Sequence, residues 1–263
     1  MKVASIMMWM DDKENKKERI THAEKLIAKA AGADLILLPE IWNIGWFSFD
    51  QYYKESETVE GETVSRMREM ARKVKAYMYA GSFVEKRGDQ YFNTGVFLNP
   101  NGEIMAQYSK MHLFKNLTQE GDLLKPGNEI VTVKTEHGVM GLSICYDIKF
   151  PELYRKLVDD GAEILLCILA WAYPRLEQYV ATQHVRAYEN LSYFITCNGT
   201  GFNRGFQYMG HSMIVDPWGA IVAGGGDKEY IVTADIDVEF VRQSRKEFPA
   251  LEHRRLKVVY EKG

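Results

Sequence analysis

Apolar positions along this chain fall into two patterns, short unbroken runs and helical stripes. Residues 3–8 read as a buried first strand, and residues 35–38 form a continuous apolar run closed by Pro39. Such continuous runs belong to strands covered on both faces. Residues 14–31 place Ile20, Ala23, Leu26, Ile27 and Ala30 on one helical face, with charges on the other. A helix over 63–75 and strands over 77–83 and 91–98 follow. The turn Pro100-Asn101-Gly102 leads into a strand over 104–108. The spacing then predicts buried strands at 139–144 and 164–169 with a helix at 152–159 between them, a helix over 174–192, and a strand at 193–196. A loop bearing Gly199, Gly201, Gly205 and Gly210 precedes strands near 213–215, 220–223 and 230–234 and a last helix from Val238. Strands alternating with helices argue an α/β fold, and adjacent strand pairs add an antiparallel or mixed component. No Pro/Gly/Ser linker, composition break or repeat divides the chain, so one domain over 1–263 is expected.

Composition narrows the class. A chain of 263 residues can bury roughly three quarters of its unfolded surface, so a core needs no disulfide or structural metal. Hydrophobic residues make up 46% and charged residues 26%, which excludes disorder, collagen-like sequence and a long coiled coil as whole-chain readings. The net charge of −3 lacks the basic excess of a dominant nucleic-acid footprint. Three cysteines, Cys145, Cys167 and Cys197, are too few and odd in number for a disulfide scaffold. The apolar stretch at the N-terminus is too short to span a bilayer and lacks a signal-peptide cleavage pattern. No membrane partner is expected, and free thiols make a reducing cytoplasm the expected compartment.

Several suggestive motifs fail on chemistry. The stretch 205–212 has phosphate-loop spacing, but His211 stands where the lysine must be and a strand follows instead of a helix. Gly199-Thr200-Gly201 is not a dinucleotide fingerprint, because Arg204 occupies the place of its last glycine. The six histidines never pair at i, i+4 beside a carboxylate, and no two cysteines are closely spaced, which argues against zinc. Ser143 sits inside a strand, with Cys145 replacing the final glycine of a serine elbow. Arg242, Arg245, Lys246, Arg254, Arg255 and Lys257 are interleaved with Glu247 and Glu252 and read as a solvated helix face or a subunit contact.

One pattern survives. Glu40, Lys110 and Cys145 each stand just past the C-terminal end of an expected strand, where α/β folds place their sites. Cys167 and Cys197 lie inside apolar strands and read as small buried hydrophobes. Cys145 is followed by Tyr146-Asp147 and then a helix, a turn that can leave its sulfur accessible beside N–H groups favouring the thiolate.

Three blocks, Pro39-Glu40, the stretch 108–114 and the stretch 144–152, resemble the signature blocks of the nitrilase (carbon–nitrogen hydrolase) superfamily in order and spacing. The resemblance covers essentially the whole chain, including Arg186-Ala187-Tyr188-Glu189-Asn190 and the strand 212–216 before Pro217-Trp218-Gly219. It implies a four-layer αββα sandwich, a Glu40–Lys110–Cys145 triad, no cofactor or metal, and a homodimer or higher homo-oligomer assembled through the helix after the cysteine and the helix near 175–190. A second family glutamate maps best onto Glu120, with Pro126-Gly127 at the expected distance; Glu129 is the other candidate.

These residue types suit amide hydrolysis. A thiolate is a strong nucleophile, but only a few per cent of free thiol is ionised at neutral pH. Glu40 can take the Cys145 proton, return it to departing ammonia, and later activate water against the thioester. Lys110 and the backbone N–H of Tyr146 would hold the oxyanion, and Glu120 would hold Lys110. The stretches 145–151 and 170–175 most resemble the omega-amidase branch, which deamidates 2-oxoglutaramate and 2-oxosuccinamate, although Lys149 stands where that branch usually carries Arg. Lys149 and Arg175 are the expected anchors for a substrate carboxylate, with Trp46 and Trp171 as apolar walls. A general aliphatic amidase, an N-carbamoyl amidohydrolase and a non-catalytic interaction or regulatory protein on the same scaffold are the alternatives. Retention of all four site residues argues against the last.

Overall fold

The computed structural model describes residues 1–115 and 118–260; residues 116, 117 and 261–263, which the expected domain over 1–263 includes, lie outside the described residues. In chain order the elements of the first half are β1 (Lys2–Met7), α1 (Lys16–Lys29), β2 (Leu35–Leu37), α2 (Glu62–Val74), β3 (Tyr77–Arg87), β4 (Gln90–Leu98), β5 (Ile104–Ser109) and α3 (Glu120–Leu123). The second half adds β6 (Thr132–Thr135), β7 (Gly138–Ile144), α4 (Pro151–Asp159), β8 (Ile164–Leu169), α5 (Leu176–Tyr188), β9 (Tyr193–Asn198), β10 (Thr200–Asn203), β11 (Phe206–Met209), β12 (Met213–Val215), β13 (Ile221–Gly224), β14 (Tyr230–Asp235) and α6 (Val238–Glu247).

The long strands form two six-stranded sheets, ordered β14-β1-β2-β3-β4-β5 and β13-β12-β9-β8-β7-β6. In each, three parallel strands linked by helices (β1, β2, β3; β7, β8, β9) are extended by antiparallel neighbours. The apolar runs are continuous because both strand faces are covered. Leu35, Leu37, Tyr79 and Phe97 of the first sheet meet Leu142, Ile144, Leu166 and Ile195 of the second in a central core. Alternate residues Ile36, Leu38 and Met78 face Ile20, Ile27, Val64 and Met67 of α1 and α2. Leu165, Leu169 and Phe194 face Leu153, Leu157 and Tyr179 of α4 and α5. The layers are helix, sheet, sheet, helix, as the sequence resemblance implied.

Helix ends carry their own stop signals. Asn15 accepts from the Glu18 backbone N–H at 3.0 Å while Glu18 accepts from that of Asn15 at 2.9 Å, a capping box that starts α1. Pro151 opens α4, where its missing N–H costs nothing. The helix expected over 174–192 is shorter. It closes at Tyr188 because the Asn190 side chain donates to Arg186 O at 2.9 Å and Leu191 takes φ 44°, turning the chain into β9. The glycine-bearing loop after residue 198 is in fact the β10–β11 hairpin, and β6 was not anticipated. The basic C-terminal stretch also does more than face solvent. Arg245 donates to Ala162 O at 2.8 Å and Leu191 O at 3.0 Å, and Arg242 to Glu163 at 2.7 Å, tying α6 to the second half. Among the described residues no helix is long and apolar enough to cross a membrane.

Candidate functional site

The C-terminal ends of β2, β5, β7 and β8 converge between the two sheets. Glu40 follows β2, Lys110 follows β5, Cys145 follows β7, and Ala170 follows β8. Parallel strands in one sheet deliver their ends to the same edge, which brings residues distant in sequence to one point.

Glu40, Lys110 and Glu120 are all fully buried. The Lys110 ammonium donates to Glu40 Oε1 at 2.8 Å and to Glu120 Oε1 and Oε2 at 2.8 and 3.0 Å. Glu120 also accepts from the Phe114 backbone N–H at 2.7 Å and from Trp46 Nε1 at 3.4 Å. Glu129 is exposed and lines a separate cavity of about 520 Å³ with Lys125 and Pro126, so of the two expected glutamates the structure brings Glu120 to Lys110. The second oxygen of Glu40 accepts from Ala170 N–H at 3.0 Å, and its carboxyl group also contacts the Cys145 thiol.

The electrostatics follow from burying one ammonium with two carboxylates. Burial pushes Glu40 above the usual carboxylate range; Lys110 pulls against this and Glu120 adds to it. Burial alone would lower Lys110, but Glu120, Glu40 and Cys145 outweigh it and hold the ammonium well above its usual range. Burial and then the Glu40 charge push the Cys145 thiol well up, against Lys110 and the Ala170 N–H. The Ala170 N–H does favour the thiolate, but burial and the Glu40 charge outweigh it.

Cys145 has φ 48°, a left-handed conformation that costs a non-glycine residue of order 1 kcal/mol or more and persists only when surroundings enforce it. Asp147 supplies that enforcement. It is fully buried and accepts from Ile144 N–H at 2.9 Å, His112 N–H at 3.0 Å and Tyr108 O–H at 2.7 Å. The His112 ring lies 2.7 Å from the same carboxylate and stacks on Phe150 at 3.7 Å.

The half-buried Cys145 opens into a cavity of about 690 Å³ whose walls include Trp46, Phe114, Tyr146 and Trp171. The exposed Lys149 lines it with its ammonium 5.3 Å from the Trp171 ring, and Arg175 lines it with its guanidinium 5.8 Å from Phe114. Among the described residues neither cation pairs with a carboxylate. Trp46 does more than line the cavity, since its ring lies 5.7 Å from the Lys110 ammonium. Among the described residues no group of three or more His, Cys, Asp or Glu is placed to hold a metal ion.

Two residues join the site that the sequence reading did not single out. Phe206, on the unanticipated β10–β11 hairpin, stacks on Phe47 at 4.3 Å at the cavity mouth. Asn93, inside β4, donates to Glu40 Oε1 at 2.8 Å and Glu120 Oε1 at 3.1 Å. A buried amide costs free energy unless it is bonded, so a polar Asn within the apolar run 91–98 was the available signal.

The carbon–nitrogen hydrolase family model matches residues 2–246. The chain is 34% identical over 269 residues to a 2-oxoglutaramate amidase of Paenarthrobacter nicotinovorans, covering 99% of this chain and 92% of that one. It is 34% identical to a deaminated glutathione amidase of Synechocystis, covering 93% and 95%. The solved structure of Saccharomyces cerevisiae Nit3, a member of branch 10 of the nitrilase superfamily, superposes with a TM-score of 0.90 at 29% identity over 97% of each chain.

Proposed function

This chain belongs to the carbon–nitrogen hydrolase family, and we propose that within it the chain is an omega-amidase, removing ammonia from small linear monoamides of dicarboxylic acids such as 2-oxoglutaramate and 2-oxosuccinamate. The observation that carries this reading is the buried Glu40–Lys110–Glu120 cluster beside Cys145, which itself lines a cavity with Lys149 on its wall. The similarity to a 2-oxoglutaramate amidase supports it.

Cys145 Sγ attacks the amide carbonyl while its proton passes to Glu40. Lys110 and the Tyr146 backbone N–H hold the oxyanion. Collapse breaks the C–N bond, and the Glu40 proton leaves with ammonia, giving a thioester. A water then loses a proton to Glu40 and attacks the thioester carbonyl. The carboxylic acid departs and the proton returns to sulfur. The contact between Glu40 and the Cys145 thiol gives that proton a direct path as the sulfur attacks. Glu120 fixes the ammonium of Lys110. Lys149 takes the far carboxylate of the substrate, with Arg175 as a second cation and Trp46 and Trp171 as walls. The working unit is a homodimer, supported by the exposed Val185 and Tyr188 on α5 beside Trp218 and Phe248.

The test compares ammonia release from succinamate with that from a neutral amide of equal length, in wild type and Lys149→Met. A charge-assisted contact is worth roughly 1.5–3 kcal/mol, so the carboxylate substrate should lose about 10- to 100-fold in kcat/KM in the variant while the neutral amide changes little. Wild-type preference for the neutral amide would replace this reading with a general aliphatic amidase; turnover of carbamoyl amino acids alone would favour the carbamoyl amidohydrolase. Release of ammonia from none of them would favour the non-catalytic reading.

A further inference from the structure

Asn93 touches every member of the buried cluster. Its backbone carbonyl accepts from the Lys110 N–H at 2.8 Å. Its side-chain nitrogen lies 2.8 Å from Glu40 Oε1 and 3.1 Å from Glu120 Oε1. Each of those two oxygens also accepts from the Lys110 ammonium at 2.8 Å. One ammonium therefore faces two carboxylates, an arrangement that leaves an unmatched negative charge in a fully buried site. Like-charged carboxylates sharing a site normally force one of them to hold a proton. Asn93 supplies two neutral donors where the two carboxylates approach each other.

The amide orientation bears this out. Asn93 is fully buried, and its Oδ1 has no partner among the described residues. Turning the amide over would set that oxygen against two carboxylate oxygens. A buried unpartnered oxygen costs free energy, and it persists because the nitrogen is needed on the other side. Other ionisable groups that feel the Glu40 charge include the Cys145 thiol and the phenols of Tyr52, Tyr79 and Tyr208. Burial holds all three phenols above their usual range, so they stay neutral near neutral pH.

We propose that Asn93 is a positioning residue that divides its amide N–H groups between Glu40 and Glu120 and thereby keeps Glu40 ionised and ready to take the Cys145 proton. The inference rests on the Glu40–Cys145 chemistry proposed above but not on any particular substrate.

The experiment measures the rate of Cys145 alkylation by iodoacetamide against pH, a readout that needs no amide substrate, in wild type, Asn93→Leu and Asn93→Ser. With the donors gone in Asn93→Leu, the acid limb should move up by about one pH unit, and the rate should approach that of wild type above it. Asn93→Ser, which keeps one hydroxyl donor, should fall between. If Asn93 only supported the fold, the rate would drop by the same factor at every pH with the limb unmoved, and the proposal would be overturned. Should Asn93→Leu fail to fold, Asn93→Ser and the wild-type side-chain amide resonances of Asn93 decide. Those resonances should titrate with the midpoint of the alkylation limb, and resonances indifferent to pH through that limb would overturn the proposal. Failure of succinamate turnover with the limb shift intact would sink the omega-amidase reading alone.

Discussion

At the scale of single residues, charge pairing in a buried site sets the proposed chemistry. Lys110 is fully buried between two carboxylates, and removing one partner of a buried pair costs about 3–5 kcal/mol. Lys110→Met should therefore lower stability by about that much, read by chemical denaturation, and lower kcat by about 10²–10³-fold through loss of an oxyanion donor. Glu120→Gln should slow turnover without preventing acylation, whereas Glu129→Gln should be neutral; the reverse outcome would show that the wrong glutamate was chosen. The pH dependence has a definite sign. Glu40 is held above the usual carboxylate range, chiefly by burial. As pH falls through that raised value Glu40 gains a proton and can no longer act as base, so kcat/KM should fall on the acid side at a pH above that of an ordinary glutamate. An acid limb at the ordinary carboxylate value would contradict the proposed role. Of these residues, Glu40, Lys110, Cys145 and Glu120 were legible because they recur in blocks with fixed order. Asn93 was not, since a polar residue in an apolar run signals only a buried amide, and its meaning lies in contacts with residues 53 and 27 positions away.

Elements matter here for where their ends fall. The turn Cys145–Lys149 that follows β7 and the end of β5 are joined by Asp147, which bonds Ile144 on one side and Tyr108 and His112 on the other. In Asp147→Asn an amide nitrogen must face donors, leaving buried groups unpaired at about 1–3 kcal/mol each. The variant should unfold at lower denaturant and alkylate Cys145 more slowly at every pH, because the turn carrying the sulfur loosens. Alkylation at the wild-type rate in a folded Asp147→Asn would show that the turn holds itself. The parallel strands were legible from their unbroken apolar runs, which arise only where both faces are covered. The missed strands lack that mark. β6 reads Thr-Val-Lys-Thr, and the β10–β11 hairpin turns through Arg204 and Gly205, both at positive φ, so glycine content there signalled a loop where it served a tight turn.

For the whole molecule, periodicity alone reached an α/β domain; the four-layer stacking came through family resemblance, because which sheet face meets which depends on residues as distant as Leu37 and Ile144 sharing one core, which no local pattern encodes. The exposed side chains of α5, Trp218 and Phe248 form the surface on which the proposed dimer rests. A Tyr188→Asp/Trp218→Asp double variant should run as a monomer by light scattering with a native circular dichroism spectrum; an unchanged mass would place the interface elsewhere. The proposed chemistry rests on one covalent bond, the thioester at Cys145. Wild-type enzyme quenched in acid during turnover of succinamate, digested and examined by mass spectrometry, should carry a succinyl group on the peptide containing Cys145, and Cys145→Ala should carry none and release no ammonia. Ammonia release without an adduct at Cys145, or with the acyl group on Cys167 or Cys197, would contradict it.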